Sequence, residues 1–412
     1  MARKTKDSGI EWIGEIPEGW EVTPVRSCFD EVRTKNTDGQ EQNALQFKSG
    51  NIISKTNFSA STDDYVADTI TNYTVVLPDT VMINGLNLNY DFKSLRVALV
   101  KEKGVITSAY LAIFPDRKKI SPQYATYLFK GYETKMAFHN MGAGIRKTLG
   151  YKEFKNQPLL LPSKEEQNKI SAYLDSKCSH INIMLSKTRS SIEEHKKLKQ
   201  AVITQAVATQ QCSHIKLKYL MNVIVDCPHE TPTYSFTGNY YVIRTADQAL
   251  ASLRRDEDMY RLDASEYKKR TRRLTLDKDD IVYGREGERW GLACIVPESN
   301  KYCLGQRIMQ FRCNTKFLYP KYAMYTLNSE PVYLQGVADT IGSTSPHVNI
   351  STICNYLLPV PALTEQKEIA DHLDAKCAEI DGLIAKKEQL VKELESYKKS
   401  LIYEVVTGKR EV

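Results

Sequence analysis

The chain has 412 residues, with 57 Lys+Arg against 50 Asp+Glu for a formal net charge of +7, and is 42% hydrophobic and 26% charged. That length suggests two or three domains with ample core, and the composition excludes collagenous and wholly disordered classes. No apolar run approaches the ~20 residues of a membrane helix, and nine cysteines without a Cys-x-x-Cys argue against a secreted disulfide frame. No signal-peptide core follows the first residues, so a cytoplasmic location is expected. Residues 1–162, 163–211 and 212–361 are each net +3, and 362–412 is net −2. Mild basicity over three segments suits a protein that meets phosphate along an extended surface, and suits many that do not.

In chain order, residues 1–162 are rich in Val, Ile, Tyr, Phe and Thr in short runs broken by Gly, Asn, Asp and Pro. Strands are predicted at Tyr73–Leu77, Val81–Ile83, Val97–Val100 and Tyr110–Phe114. A Tyr-rich helix around Tyr124–Leu128 follows, then a loop from Met141 to Arg146. A long helix then opens after Pro162, with Ser163 and Glu166 in capping-box positions. Its apolar residues Ile170, Leu174, Cys178, Ile181, Leu185 and Ile192 recur at four- and three-residue steps, the signature of a coiled-coil seam. Residues 212–361 repeat the first texture. Strands are expected at Tyr240–Ile243, Asp280–Tyr283, Leu292–Val296 and Ile308–Phe311, a Tyr-rich helix at Tyr322–Leu327, and a loop from Ile341 to His347. A second long helix then carries Ile369, Leu373, Cys377, Ile380, Ile384 and Val391.

The two long helices match in one register, offset by 199 residues. Pro162, Glu166, Gln167, Ile170, Leu174, Asp175, Cys178 and Ile181 fall on Pro361, Glu365, Gln366, Ile369, Leu373, Asp374, Cys377 and Ile380, and the register runs on to Val207 and Val406. Such a repeat organises the whole chain. The expected fold class is α+β: two strand-rich globular units separated by two long antiparallel coiled-coil helices, arranged as a pseudo-two-fold repeat. The boundaries read 1–162, 163–211, 212–361 and 362–412.

Enzyme motifs are sparse. No Asn-Pro-Pro-[Tyr/Phe] and no Gly-x4-Gly-Lys-[Ser/Thr] occurs, so neither amino-methyl transfer nor ATP cradling of that type is expected. Pro115-Asp116 with Glu133-Thr-Lys135 spells a metal-nuclease pattern, but Glu133 and Lys135 lie in a helical run, where positions two apart diverge. Cys178-x-His180, Cys212-x-His214 and Cys227-x-His229 lack tetrahedral zinc spacing. No catalytic or metal-binding residue is therefore assigned.

The repeated Pro-x-x-x-Glu-Gln-x-x-Ile helix opening resembles the specificity subunits of type I restriction-modification systems. So do Gly9-Ile-Glu-Trp12-Ile-Gly14-Glu-Ile-Pro17-Glu-Gly-Trp20 and Gly342-Ser-Thr-Ser-Pro-His347-Val-Asn349. The resemblance spans essentially the whole chain. It implies a non-catalytic DNA-binding chain with two target-recognition domains, each reading half of a bipartite asymmetric site in double-stranded DNA. It also implies docking of two methyltransferase subunits and of restriction–translocase subunits. S-adenosylmethionine, ATP and Mg are expected in those partners and no cofactor in this chain. The alternative is a stand-alone DNA-modifying or DNA-cleaving enzyme of the same class.

Base reading favours Arg, Lys, Asn and Gln on loops. The first unit offers Asn84, Asn87, Lys93 and Arg96, then Arg146 and Lys147. The second offers Arg244, Arg285 and Arg289, Gln306 and Arg307, and Ser343, Thr344 and His347. The run Lys268–Arg273 reads as a phosphate rail.

Overall fold

A computed structural model describes residues 3–48, 50–55, 70–93, 95–141, 147–208, 212–340 and 346–412. They fall into two compact units, one of Met1–Thr188 with Leu390–Val412 and one of Arg189–Gln389.

The first unit holds β1 (Glu21–Pro24), β2 (Phe29–Glu31), β3 (Val81–Ile83), β4 (Val97–Leu99), β5 (Leu111–Pro115), α1 (Pro122–Thr134), β6 (Pro158–Leu161) and the start of α2 (Lys164–Ala208). Four strands form an antiparallel sheet in the order β2-β5-β3-β4, and β1 pairs with β6. Pro122 opens α1, where its missing N–H would have no helical partner anyway. The helix lays Tyr124, Leu128, Phe129 and Tyr132 into a core shared with Val81, Ile83, Leu111 and Ile113.

The second unit holds β7 (Ser213–Lys216), β8 (Met221–Asp226), β9 (Tyr240–Ile243), β10 (Tyr260–Leu262), α3 (Ala264–Arg270), β11 (Ile281–Gly284), β12 (Ala293–Ile295), β13 (Tyr302–Leu304), β14 (Ile308–Cys313), α4 (Pro320–Leu327), β15 (Leu357–Val360) and much of α5 (Leu363–Val406). Its antiparallel sheet runs β8-β14-β11-β12, and β7 pairs with β15. Strand for strand this is the order of the first unit. The second unit also holds a three-stranded sheet, β10-β9-β13, in which β9 and β13 run parallel; Ala44 and Val105 form the matching parallel bridge in the first.

Matching side chains tie each long helix to its unit. Gln167 is fully buried; its Oε1 accepts the Ser121 N–H at 2.7 Å, and its Nε2 donates to the carbonyls of Lys119 and Pro162 at 3.0 and 2.9 Å. Gln366 does the same with the Tyr319 N–H and the Phe317 and Pro361 carbonyls, at 2.8, 2.9 and 2.8 Å. Tyr124 and Tyr322 donate to the carbonyls of Leu160 and Pro359, and Tyr127 and Tyr325 to the carboxylates of Asp175 and Asp374. The Glu166 N–H is held by Ser163 Oγ at 3.3 Å, half of the expected capping box.

Within each unit the two helices run antiparallel. In the first, Asn182 meets Lys398 at 2.7 Å, and Ile170, Leu174, Cys178, Ile181 and Leu185 share a core with Leu401, Ile402, Val405 and Val406. In the second, Lys199 meets Asp381 at 2.8 Å, and Ala370, Leu373 and Cys377 share a core with Val202, Ile203 and Ala206. Residues 202–206 thus pack in one unit as their repeats 401–405 pack in the other. The predicted seam thins at Ile384 and Val391, which are only half-buried.

Replacing Gln167 or Gln366 by Leu leaves one peptide N–H and two carbonyls buried without partners. Each change is expected to cost about 1–3 kcal/mol, read as a lower urea midpoint, with hydrogen-exchange protection lost first in the unit that carries it.

Candidate nucleic-acid interface

In the second unit four loops are knitted around one guanidinium. Arg285 leaves the end of β11 and is 4% exposed. Its Nε and Nη2 reach Asp226 at 3.1 and 3.2 Å, Nη2 also reaches Glu286 at 2.9 Å, and Nη1 lies 3.2 Å from His347 Nε2. The backbone follows: the Arg285 N–H donates to the Arg307 carbonyl, the Val348 N–H to the Arg285 carbonyl, and the Gly287 N–H to the Pro346 carbonyl. Gly291, at φ 87°, turns the chain where a Cβ would strike the Tyr333 ring at 2.6 Å. Arg307 itself sits at φ 69°, donates its N–H to Cys227 Sγ at 3.2 Å, and turns its guanidinium outward.

Sequence expectations and geometry differ here in an orderly way. Arg285 was expected to face a ligand, but its donors are already committed, so it organises the loops. Arg244 is likewise spent, with Nε and Nη2 each 2.8 Å from Asp247 and the guanidinium 3.7 Å above the Tyr260 ring. Arg289, Arg307 and His347 stay exposed around Arg285, and half-buried Gln306 donates to Thr231 Oγ1 at 3.4 Å. Arg289 also spans to the Ala246 and Gln248 carbonyls at 3.0 and 2.9 Å. Ser343 and Thr344 lie outside the described residues. In the run Lys268–Arg273, Lys268, Lys269, Arg272 and Arg273 face solvent while Arg270 is buried, donating to the carbonyls of Leu304 and Glu230.

The first unit repeats the device with other residues. Arg96 was also expected at the surface, yet it is 1% exposed and donates to the carbonyls of Asn84, Leu86 and Asp91. That guanidinium shapes the β3–β4 loop, on which Asn87 (φ 53°) and Lys93 are exposed and Asn84 is half-buried. Lys147 joins them, since its carbonyl accepts the Leu88 N–H. Gly85 allows the approach, because a Cβ there would lie 2.4 Å from the Leu149 carbonyl oxygen. Arg146 lies outside the described residues. The buried supports Arg96, Arg270 and Arg285 were readable as arginines but not as inward-facing ones; a following β-run in the case of Arg96 was the available clue.

The nuclease-like residues are dispersed. Asp116 follows β5 and pairs with Lys119, Lys135 caps α1 with its ammonium 4.7 Å from the Tyr403 ring, and Glu133 accepts the Arg96 N–H. Among the described residues no three His, Cys, Asp or Glu side chains form a metal-sized group, and no helix is long and apolar enough to cross a membrane.

Burial pushes the Glu133 carboxyl up to about 7, against the lowering pull of the Arg96 N–H and Lys130. An unfolded Glu titrates near ~4.3, so between these values the folded chain keeps a proton that the unfolded chain has released. Stability is therefore expected to fall as pH rises from about 4.5 to about 7. Glu133→Gln should flatten that decline, measured as the urea midpoint at pH 5 and pH 8.

Comparison with known proteins places this architecture. Residues 227–393 match the family described as type I restriction modification DNA specificity domain. Two proteins of Methanocaldococcus jannaschii align over 96% of the chain. They are a putative type I restriction enzyme MjaX specificity subunit, at 22% identity and covered over 95% of its length, and the type I restriction enzyme MjaVIII specificity subunit, at 21% and 93%. A chain from a solved type I restriction-modification assembly has the same fold, with TM-score 0.69 and 16% identity over 96% of this chain and 99% of that one. The fold is that of a two-unit α+β chain with two long helices, shared with that assembly's chain. Over its whole length the chain is similar to type I restriction-modification specificity subunits.

Proposed function

We propose that each unit reads one half of a bipartite, asymmetric site in double-stranded DNA, and that the chain docks catalytic partners without performing chemistry itself. One observation carries this reading: the same sheet order, glutamine clamp and tyrosine contacts occur twice, while the loops displayed on them differ. Two copies of one scaffold with unlike loops suit two unlike half-sites. The first set is Asn84, Asn87, Lys93 and Lys147; the second is Arg289, Gln306, Arg307 and His347. Arg bidentate to guanine and Asn to adenine supply the discrimination, and lysines supply phosphate contacts. The target-recognition domains are residues 1–162 and 212–361, joined by the helical segments 163–211 and 362–412. Two methyltransferase subunits and restriction–translocase subunits are the partners, carrying S-adenosylmethionine, ATP and Mg, in the cytoplasm. The relatives' names and the paired helices support this assignment.

Arg307→Ala is expected to weaken binding by about 1–3 kcal/mol through the second half-site alone. Asn87→Gly, which keeps the left-handed backbone, should act on the first alone. Mapping methylated sites and titrating duplexes mutated in each half would check both. A variant that disturbs both halves, or neither, contradicts the assignment of one half-site to each unit.

A further inference from the structure

Each unit exposes a Tyr-x-Phe pair on a loop beside its candidate interface: Tyr90-Asp91-Phe92 in the first and Tyr234-Ser235-Phe236 in the second. Phe236 is fully exposed, Tyr90 is 72% exposed, and Phe92 and Tyr234 are exposed as well. Single exposed aromatics need no explanation. Two such pairs, each supported from below by a buried arginine, are different.

Arg96 binds carbonyls before and within the first pair's loop, those of Asn84 and Leu86 before it and of Asp91 between the two rings. Arg270 donates to the Leu304 and Glu230 carbonyls at 2.9 and 3.0 Å, with a longer contact to Pro228 at 3.5 Å, and so fixes the approach to the second pair. Further contacts hold one ring of each pair. Phe92 stacks on His139 at 5.1 Å and 12°, which leaves its other face outward. Tyr234 meets Tyr260 edge-on at 4.6 Å, and the Ser235 N–H donates to the Arg261 carbonyl. The carbonyls bound by Arg96 and Arg270 hold the backbone beside both pairs, and the rings face water.

The chemistry around the rings selects the ligand. Asn87, Lys93 and Lys147 flank the first pair. Exposed Arg307 and half-buried Gln306 lie beside the second, Gln306 reaching Thr231 on the same loop. The nearby carboxylates are paired with cations: Asp91 with Arg96 at 3.7 Å, Glu230 with Lys269 at 2.8 Å, and Asp226 with Arg285. Rigid aromatic faces with cationic and amide neighbours match bases and phosphates, whereas a protein groove would be met by a broader apolar patch. Resting on the DNA-reading function above, we infer that the two loops are base-contacting wedges. Tyr90 and Phe92 pack against bases of the first half-site, Tyr234 and Phe236 against those of the second, and each opens a base step.

The test uses the full chain assembled with its methyltransferase subunits and duplexes carrying the mapped site, with 2-aminopurine moved step by step through each half. Preference of the unaltered assembly for this duplex over a scrambled one is measured first; its absence would count against DNA reading itself. With that preference present, a fluorescence rise from an unstacked 2-aminopurine is expected in each half. Phe92→Ser should abolish it in the first half and Phe236→Ser in the second. Each variant should bind roughly 5- to 100-fold more weakly, the range of one lost stacking contact. The slope of log affinity against log salt should not change, because no phosphate contact is lost. Both rings are at the surface, so an unchanged melting temperature verifies folding. Full affinity in both variants with no fluorescence rise overturns the inference. So does loss of methyltransferase co-purification with DNA affinity intact, which would make the loops a protein-docking surface.

Discussion

Each long helix begins where a buried glutamine side chain replaces the hydrogen bonds that a chain reversal would otherwise leave unmade. Gln167 and Gln366 each satisfy one N–H and two carbonyls at the meeting of a Tyr-rich helix, a strand end and the helix start. Buried peptide groups must find partners, and a neutral amide supplies both polarities without the desolvation cost of a charge. Tyr127 and Tyr325, bonded to Asp175 and Asp374 two turns further on, prevent rotation about that anchor. Because the anchor sets the direction of each helix from its own sheet, everything displayed by a unit is referred to it.

The scaffold and the display obey different constraints. Sheet order, helix anchor and core are duplicated, since each unit must solve the same packing problem. The loops between β3 and β4 and between β11 and β12 are not duplicated. One is wrapped around Arg96 bound to carbonyls, the other around Arg285 bound to Asp226, Glu286 and His347. In both, a buried arginine gives up its own chance of contacting a ligand to hold its neighbours in place. Preorganised loops lose less conformational entropy on binding, which suits a reader whose discrimination rests on a few side chains.

The helices and most strands were legible because their signals are periodic: the 3-4 seam, the 199-residue repeat, and β-branched runs that match β3 and β9 residue for residue. Glu-Gln stood out as a repeated motif, although its role as an internal hydrogen-bond hub needs the fold. The site was half legible. Asn87, Lys93, Arg289 and Arg307 emerge at the surface, whereas Arg96, Arg244 and Arg285 turn inward, because an isolated arginine carries no local sign of the carbonyls or carboxylates that long-range folding brings to it. The three-stranded sheet of the second unit is legible only in its Tyr240–Ile243 strand, since β10 and β13 are three residues each.

The central claim is that one unit with its helical segments is half of a pseudo-dimer and carries one half-site. Residues 401–406 complete the first unit's core, and their repeats 202–207 present matching apolar residues, as Val202, Ile203 and Ala206 do in the second unit. A chain shortened to residues 1–211 can therefore complete its core with the helix of a second copy, more weakly than in the intact chain because the covalent link is gone. Light scattering combined with methylation mapping of this shortened chain and its methyltransferase is the most direct measurement. The account predicts a dimer that modifies an interrupted palindrome built from two copies of the first half-site. A monomer that still modifies the original asymmetric site would contradict it.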